Sequence, residues 1–267
     1  MRFLTHSLTH PGGREQNQDA CQYAVAGNIA CWALADGLGG HGGGEEAALL
    51  ATGAVISAFQ SHAECSPSAL LTYFEQARQA VAARQEESPA LTGMRTTLVV
   101  LVSGMDHALW AHVGDSRLYY FMQGRLTRWT LDHSVPQAMV DANQLKPSRI
   151  RLHEDRNRLL RSLGGREDVR ATIGNEPEPI RPGDSFLLCT DGFWEYVTET
   201  AMEMDLAKSP HPREWLHFME QRIRQAAPPD QDNYTAIAIF VGTGQDSSGS
   251  PAPEFSGQER PQGEGYG

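Results

Sequence analysis

A chain of 267 residues with 40% apolar and 21% charged residues has the composition of an ordinary soluble globular protein, long enough for one large domain or two small ones. Its formal charge of −11 argues against nucleic acid or an anionic membrane as the main partner. A phosphorylated substrate stays open, because bound divalent cations reverse the sign locally.

The first 13 residues read as a strand closed by the turn Pro11-Gly12-Gly13, and Arg14 to Asp19 form a polar cluster. A second strand spans Ala20 to Ala26, and Gly27-Asn28 turns it into an apolar run, Ile29 to Ala35, that reads as a buried strand. That strand ends in Asp36-Gly37, with five more glycines between Gly39 and Gly44. A carboxylate held at a strand end, beside glycines that keep side chains away, suits a hard cation such as magnesium or manganese. The plainer reading is a sharp strand-to-helix corner. Helices follow, over 45–60 and after Ser66-Pro67, where serine caps and proline suits the first helical position. Thr96 to Ser103 is a continuous buried strand, and Leu109 to Val113 and Arg117 to Met122 flank the turn Gly114-Asp115-Ser116. Strands joined by such short turns are antiparallel.

Residues 134–160 are a long polar excursion with a helical piece over 135–142. Ser185 to Thr190 is another apolar strand ending in a carboxylate and glycine, Asp191-Gly192. A helix over 214–226 precedes Asp232-Asn233 and the last strand, Tyr234 to Val241. Residues 242–267, almost free of apolar side chains, are expected to be a disordered tail to a single domain over 1–241. Cys21, Cys31, Cys65 and Cys189 lack Cys-x-x-Cys spacing and read as small core residues in a reducing compartment. With no apolar signal core after Met1 and no apolar stretch of about 18 residues, a cytoplasmic protein is expected.

Asp36, Asp191 and Asp232 thus stand at strand boundaries far apart in sequence. One such residue is most often a turn aspartate. Three gathered at one site would need a cation. His6 and His10, four residues apart, lack the third ligand of a zinc site.

The motifs Arg14-x-x-Asn17-Gln18-Asp19, Asp36-Gly37-Leu38-Gly39-Gly40-His41, Gly114-Asp115-Ser116-Arg117, Asp132-His133-Ser134, Ser162-Leu163-Gly164, Thr190-Asp191-Gly192 and Asp232-Asn233 follow one another over residues 14–233. In this order they resemble the metal-dependent type 2C serine/threonine protein phosphatases in their compact bacterial form. The resemblance implies an α+β fold, a four-layer α-β-β-α sandwich of two antiparallel sheets with flanking helix pairs. It implies hydrolysis of phosphoserine and phosphothreonine through a hydroxide shared by two Mg²⁺ or Mn²⁺ ions, without a covalent phospho-enzyme. In that scheme Asp36 bridges the two ions, the Gly37 carbonyl joins one, and Asp191 and Asp232 hold the other. Asp19 accepts hydrogen bonds from water at the metal, while Asp132, Asp191 and Glu195 serve a third ion. Arg14, otherwise a surface ion-pair partner of Glu15 or Asp19, grips the substrate phosphate.

The resemblance also implies a phosphoprotein substrate, a cognate kinase whose action is reversed (type VI secretion being one setting) and a monomer. Gln18 stands where many members carry glutamate, and Leu38 where eukaryotic members place a histidine proposed as general acid, a duty left to His41 or solvent. Gly114-Asp115-Ser116-Arg117 reads as structural, its Asp–Arg pair fixing a hairpin. Two rival readings are a fold-retaining binding module without turnover and a phosphatase of small metabolites.

Overall fold

A computed structural model describes residues 2–39, 43–165, 171–174 and 176–243, so His41 and the tail from residue 244 lie outside the described residues. Strand β1 (Arg2–His10) is followed by β2 (Asp19–Ala26) and β3 (Ile29–Leu38). Helices α1 (Gly43–Ser61) and α2 (Pro67–Glu87) come next. The Ser66 hydroxyl accepts from the Ala69 amide and caps α2, as the Ser-Pro pair predicts. Then come β4 (Arg95–Thr96), β5 (Leu98–Ser103), β6 (His107–Val113), β7 (Arg117–Met122) and β8 (Arg125–Trp129).

The excursion carries α3 (Val135–Asp141) and a 3₁₀ turn over Pro147–Leu152, with short strands β9 (Thr172–Ile173) and β10 (Glu178–Pro179) beyond it. The chain closes with β11 (Ser185–Cys189), α4 (Asp191–Trp194), α5 (Glu199–Leu206), α6 (Pro212–Ala226) and β12 (Tyr234–Gly242).

The strands form two antiparallel sheets. One runs β1-β12-β11-β7-β8, and the other runs β10-β6-β5-β3-β2, with β4 on β3 and β9 on β6. Strand alternation sorts the apolar residues into layers. Trp32 and Leu34 of β3, Val99 and Leu101 of β5, Phe186 and Leu188 of β11, and Ile237 and Ile239 of β12 point between the sheets. Their sequence neighbours Cys31, Ala33, Val100 and Val102 point outward against α1 and α2. On the far side Leu187, Ala236 and Ala238 meet Trp215, Met219 and Ile223 of α6. The result is the expected four-layer α-β-β-α sandwich. All four cysteines are free, with Cys31 and Cys189 buried.

Several elements differ from expectation. β6 and β7, expected to pair as antiparallel strands about Gly114-Asp115-Ser116, lie in different sheets, so that turn crosses between the sheets. β3 does not stop at Ala35: Gly37 and Leu38 pair with Thr96 and Arg95, so Asp36 lies inside a strand. The run from Thr96 is broken at Thr97, whose amide donates to the Asp36 carbonyl (2.9 Å) and whose hydroxyl accepts from the Asp36 amide (2.9 Å). Among the described residues no helix is long and apolar enough to cross a membrane.

Ile237, fully buried between the sheets, tests the layering. Ile237→Ala is expected to cost about 2–5 kcal/mol in urea unfolding. Val25→Ala on the exposed face of β2 (63% exposed) should stay within about 0.5 kcal/mol.

Candidate metal centre

One end of the sandwich carries a cavity of about 540 Å³, lined among others by Arg14, Gln18, Asp36, Gly37, Asp115 and Asp191, with Asp232 at its side. The carboxylates come from both sheets. Asp19 and Asp36 face each other across the β2–β3 pair. Asp191 follows β11, Asp232 precedes β12, and Asp115 sits in the turn from β6 to β7.

Threonine and serine hydroxyls hold three of these positions. The Thr96 hydroxyl also donates to the Asp36 carbonyl, at 2.9 Å. Thr97 Oγ1 shares a hydrogen bond with Ser116 Oγ (2.7 Å), tying the Asp36 strand to the Asp115 turn. The Thr190 hydroxyl donates to Asp19 Oδ2 (2.9 Å), joining the sheets. At Gly37 a Cβ would lie 2.0 Å from the Gly44 carbonyl oxygen, so only glycine lets the start of α1 close over this strand.

Burial and mutual repulsion dominate the electrostatics. Burial pushes Asp19 up to about 8, against hydrogen bonds from Thr235 and Thr190 and with the charges of Asp191 and Asp232 adding to the rise. Burial, then Glu195 and Asp232, raises Asp191 to about 7, although Asp36 is close enough to share a hydrogen bond with it. Asp36 is held well above the carboxylate range by burial, then Asp19, Asp191, Asp115 and Asp232. Asp115 is raised by burial, then Asp191 and Asp132.

Asp19 Oδ1 and Asp191 Oδ1 are buried without a hydrogen-bond partner. Among the described residues no three His, Cys, Asp or Glu side chains close on a single point. The like charges sit around the cavity, and Asp232 Oδ2 is turned to Arg14 Nη2 (3.1 Å). Orphaned oxygens and raised carboxylates in an all-oxygen donor set are the features a hard divalent cation would satisfy.

The other expected residues are placed as follows. Arg14, at the cavity rim, pairs with Asp232 and with neither Glu15 nor Asp19. Asp132 does not line the cavity; Arg117 takes both its oxygens, Nε on Oδ1 and Nη2 on Oδ2, each at 2.7 Å. The hairpin pairing expected between Asp115 and Arg117 is therefore replaced by Arg117 with Asp132, and Asp115 is released to the cavity. Glu195 Oε1 accepts from Arg156 Nε of the excursion (2.5 Å). Leu38 forms cavity wall.

Asn233, quoted in a motif without a role, clamps the Arg14 loop. Its Oδ1 accepts from the Gln18 amide (2.8 Å), and its Nδ2 donates to the carbonyls of Pro11 (2.8 Å) and Gln16 (2.9 Å). Nothing local in the sequence announces contacts that span more than 200 residues.

Comparison with known proteins agrees with this geometry. Residues 9–233 match the family described as protein phosphatase 2C. The chain is 34% identical over 234 residues to the serine/threonine protein phosphatase PstP of Mycobacterium tuberculosis, covering 85% of this chain but only 43% of that one. It therefore spans less than half the length of that relative. It is 31% identical to the serine/threonine phosphatase stp of Listeria welshimeri, over 77% of this chain and 79% of that one. A crystal structure of the catalytic domain of PstP in complex with two manganese ions superposes with a TM-score of 0.74 at 29% identity, over 90% of this chain and 99% of that one. The chain belongs to the protein phosphatase 2C family.

Charge repulsion at the centre has a measurable sign. The folded pKa of Asp19, about 8, lies above its unfolded value near 3.8, so its contribution is full below the unfolded value and lost as pH rises toward 8. Asp19→Asn lacks that loss, and the histidine contributions cancel between the two proteins. In EDTA the Tm of Asp19→Asn minus that of the parent should therefore grow from pH 5 to pH 8. Manganese should shrink the difference. A gap independent of pH would count against the buried charge cluster.

Proposed function

We propose that this chain hydrolyses phosphoserine and phosphothreonine in a protein substrate, using magnesium or manganese ions held at the carboxylate cavity, and that it works as a cytoplasmic monomer reversing a serine/threonine kinase. The observation that carries the reading is the set of carboxylates gathered without a countercharge, Asp36, Asp115 and Asp191 lining a cavity with the Arg14 guanidinium at its rim and the buried Asp19 facing Asp36 behind them. The names of the relatives support it, and so does the manganese reported for the PstP catalytic domain.

Asp36, the Gly37 carbonyl, Asp191 and Asp232 would hold two ions, with Asp19 accepting hydrogen bonds from water at the site. For a third ion Asp115 takes the place expected of Asp132, whose oxygens are committed to Arg117. Glu195 would first have to exchange Arg156 for the cation. Bound there, divalent cations supply an acidified water and neutralise the charge that develops in an in-line displacement at phosphorus.

The chain's own groups supply the rest. The planar guanidinium of Arg14 matches two phosphate oxygens and orients the group as well as attracting it. Only Nη2 of its five-donor fork is spent on Asp232, and a shift of Arg14 towards a phosphate would free Asp232 as a ligand. Asn233 holds the Arg14 loop in place during the exchange. No cysteine lines the cavity, in keeping with a route that forms no phospho-enzyme.

Purified protein should hydrolyse a phosphothreonine peptide with Mg²⁺ or Mn²⁺ and not in EDTA. Asp191→Asn is expected to lower kcat by about 100-fold or more. Arg14→Ala should raise KM by about tenfold and lower kcat less. Cation binding without turnover would leave a phosphoprotein-binding module. Turnover of small phosphorylated metabolites but not of peptides would move the substrate class.

A further inference from the structure

We propose that the His133 imidazole is a positioning residue for the cavity-facing carboxylate of Asp115, acting through the backbone of Gly114. The inference rests on Asp115 serving a cation, as proposed above.

Asp115 stands in a turn that crosses from one sheet to the other, so neither sheet's ladder holds it on both sides. The residue before it, Gly114, has φ +96°, and a Cβ there would lie 2.5 Å from the Thr97 side chain, so only glycine fits this close approach. Both polar backbone atoms of Gly114 are taken by one residue. Its amide donates to His133 Nδ1 at 3.1 Å, and its carbonyl accepts from the His133 amide at 2.9 Å.

With Nδ1 accepting, the ring proton sits on Nε2, which donates to Thr172 Oγ1 at 2.8 Å. The ring also lies flat on His112, with centroids 4.6 Å apart and planes 6° apart. His112 is in turn tied to the Leu131 carbonyl through Nε2 (2.8 Å). Burial, then His112 and Arg161, pushes His133 down to about 3, which keeps the acceptor nitrogen unprotonated.

The turn has two further anchors. Trp194 Nε1 donates to the Asp115 carbonyl (2.9 Å), and Ser116 meets Thr97. With its neighbours and its own carbonyl held from three directions, the Asp115 side chain is the part of the turn aimed at the cavity. Outer partners of this kind fix ligand orientation, and their loss commonly weakens metal binding by about 10–100-fold.

A ring that merely fills space would behave differently under substitution. His133→Asn places an amide oxygen near the position of Nδ1 and discards the ring, whereas His133→Phe keeps the ring and loses the acceptor. Titration calorimetry of the full chain with Mn²⁺ reads the cation sites without reference to turnover, and thermal unfolding in EDTA checks folding. The Phe variant should weaken, by about 10–100-fold, the Mn²⁺ site that Asp115→Asn removes and leave the others unchanged, while the Asn variant should stay within about threefold of the parent.

The reverse order, Phe near the parent and Asn weakened, would overturn the proposal in favour of packing. Asp115→Asn separates the two levels of inference. If it removes a Mn²⁺ site that the Phe variant leaves intact, the His133 proposal fails and the reading of Asp115 stands. If Asp115→Asn changes nothing, the reading of Asp115 fails and takes the proposal with it. Should the Phe variant not fold, Thr172→Val at its exposed position removes only the bond that orients the ring. Several-fold weaker binding is then expected, and parental affinity would overturn the proposal.

Discussion

Like charges forced together in a poorly solvated place are the constraint on which this structure depends. Asp19, Asp36, Asp115 and Asp191 each rise above the ordinary carboxylate range, and two of them carry an oxygen with no hydrogen-bond partner. Hydrophobic burial between and outside the sheets must hold that arrangement together, because the carboxylates themselves oppose it. Much of the hydrogen bonding at this end of the sandwich aims backbone at the site. Thr96 and Thr97 fix Asp36, and Asn233 fixes the Arg14 loop.

Buried charge is managed by the same chemistry elsewhere. Arg117, nearly inaccessible, binds Asp132 through both nitrogens of its fork, donates to the Tyr119 hydroxyl (3.0 Å) and lies 3.5 Å from the Trp194 ring centroid. Arg151 and Arg156 tie the excursion to Glu199 and Glu195 beside α4 and α5. Each of these acids has a guanidinium partner, although Arg151 Nη1 is left buried without an acceptor. The cavity is set apart by acids that outnumber the single guanidinium facing them.

The continuous apolar runs of β3, β5 and β11 marked them as strands buried on both faces, whereas their division into two stacked sheets was carried by the order of the motifs and not by any pattern along the strands. Asp36 and Asp191 were visible because Asp-Gly directly after an apolar run is unusual punctuation for a strand. Asp115 was not. Asp-Ser-Arg in a tight turn looks like a local ion pair, and only the fold shows that Arg117 reaches to Asp132. Helix α5, eight residues with little apolar periodicity, gives only a weak local signal. The stacking of His112 on His133 joins residues from different segments, which pattern reading along the chain does not pair.

The carboxylates are divided between the two sheets, Asp19 and Asp36 on one side and Asp191 and Asp232 at strand ends of the other. A cation shared between them, as proposed, would also be a cross-link, closing a loop of more than 150 residues from Asp36 to Asp191 without a covalent bond. It resembles a disulfide in where it acts on the chain, but its strength follows free cation concentration instead of redox state. With the cation absent, the sandwich at this edge is held mainly by bonds such as Thr190 to Asp19 and Ser116 to Thr97. Amide hydrogens near the cavity end of β2, β3 and β12 then belong to the least protected part of the core, while those at the far end keep the protection of the packed layers.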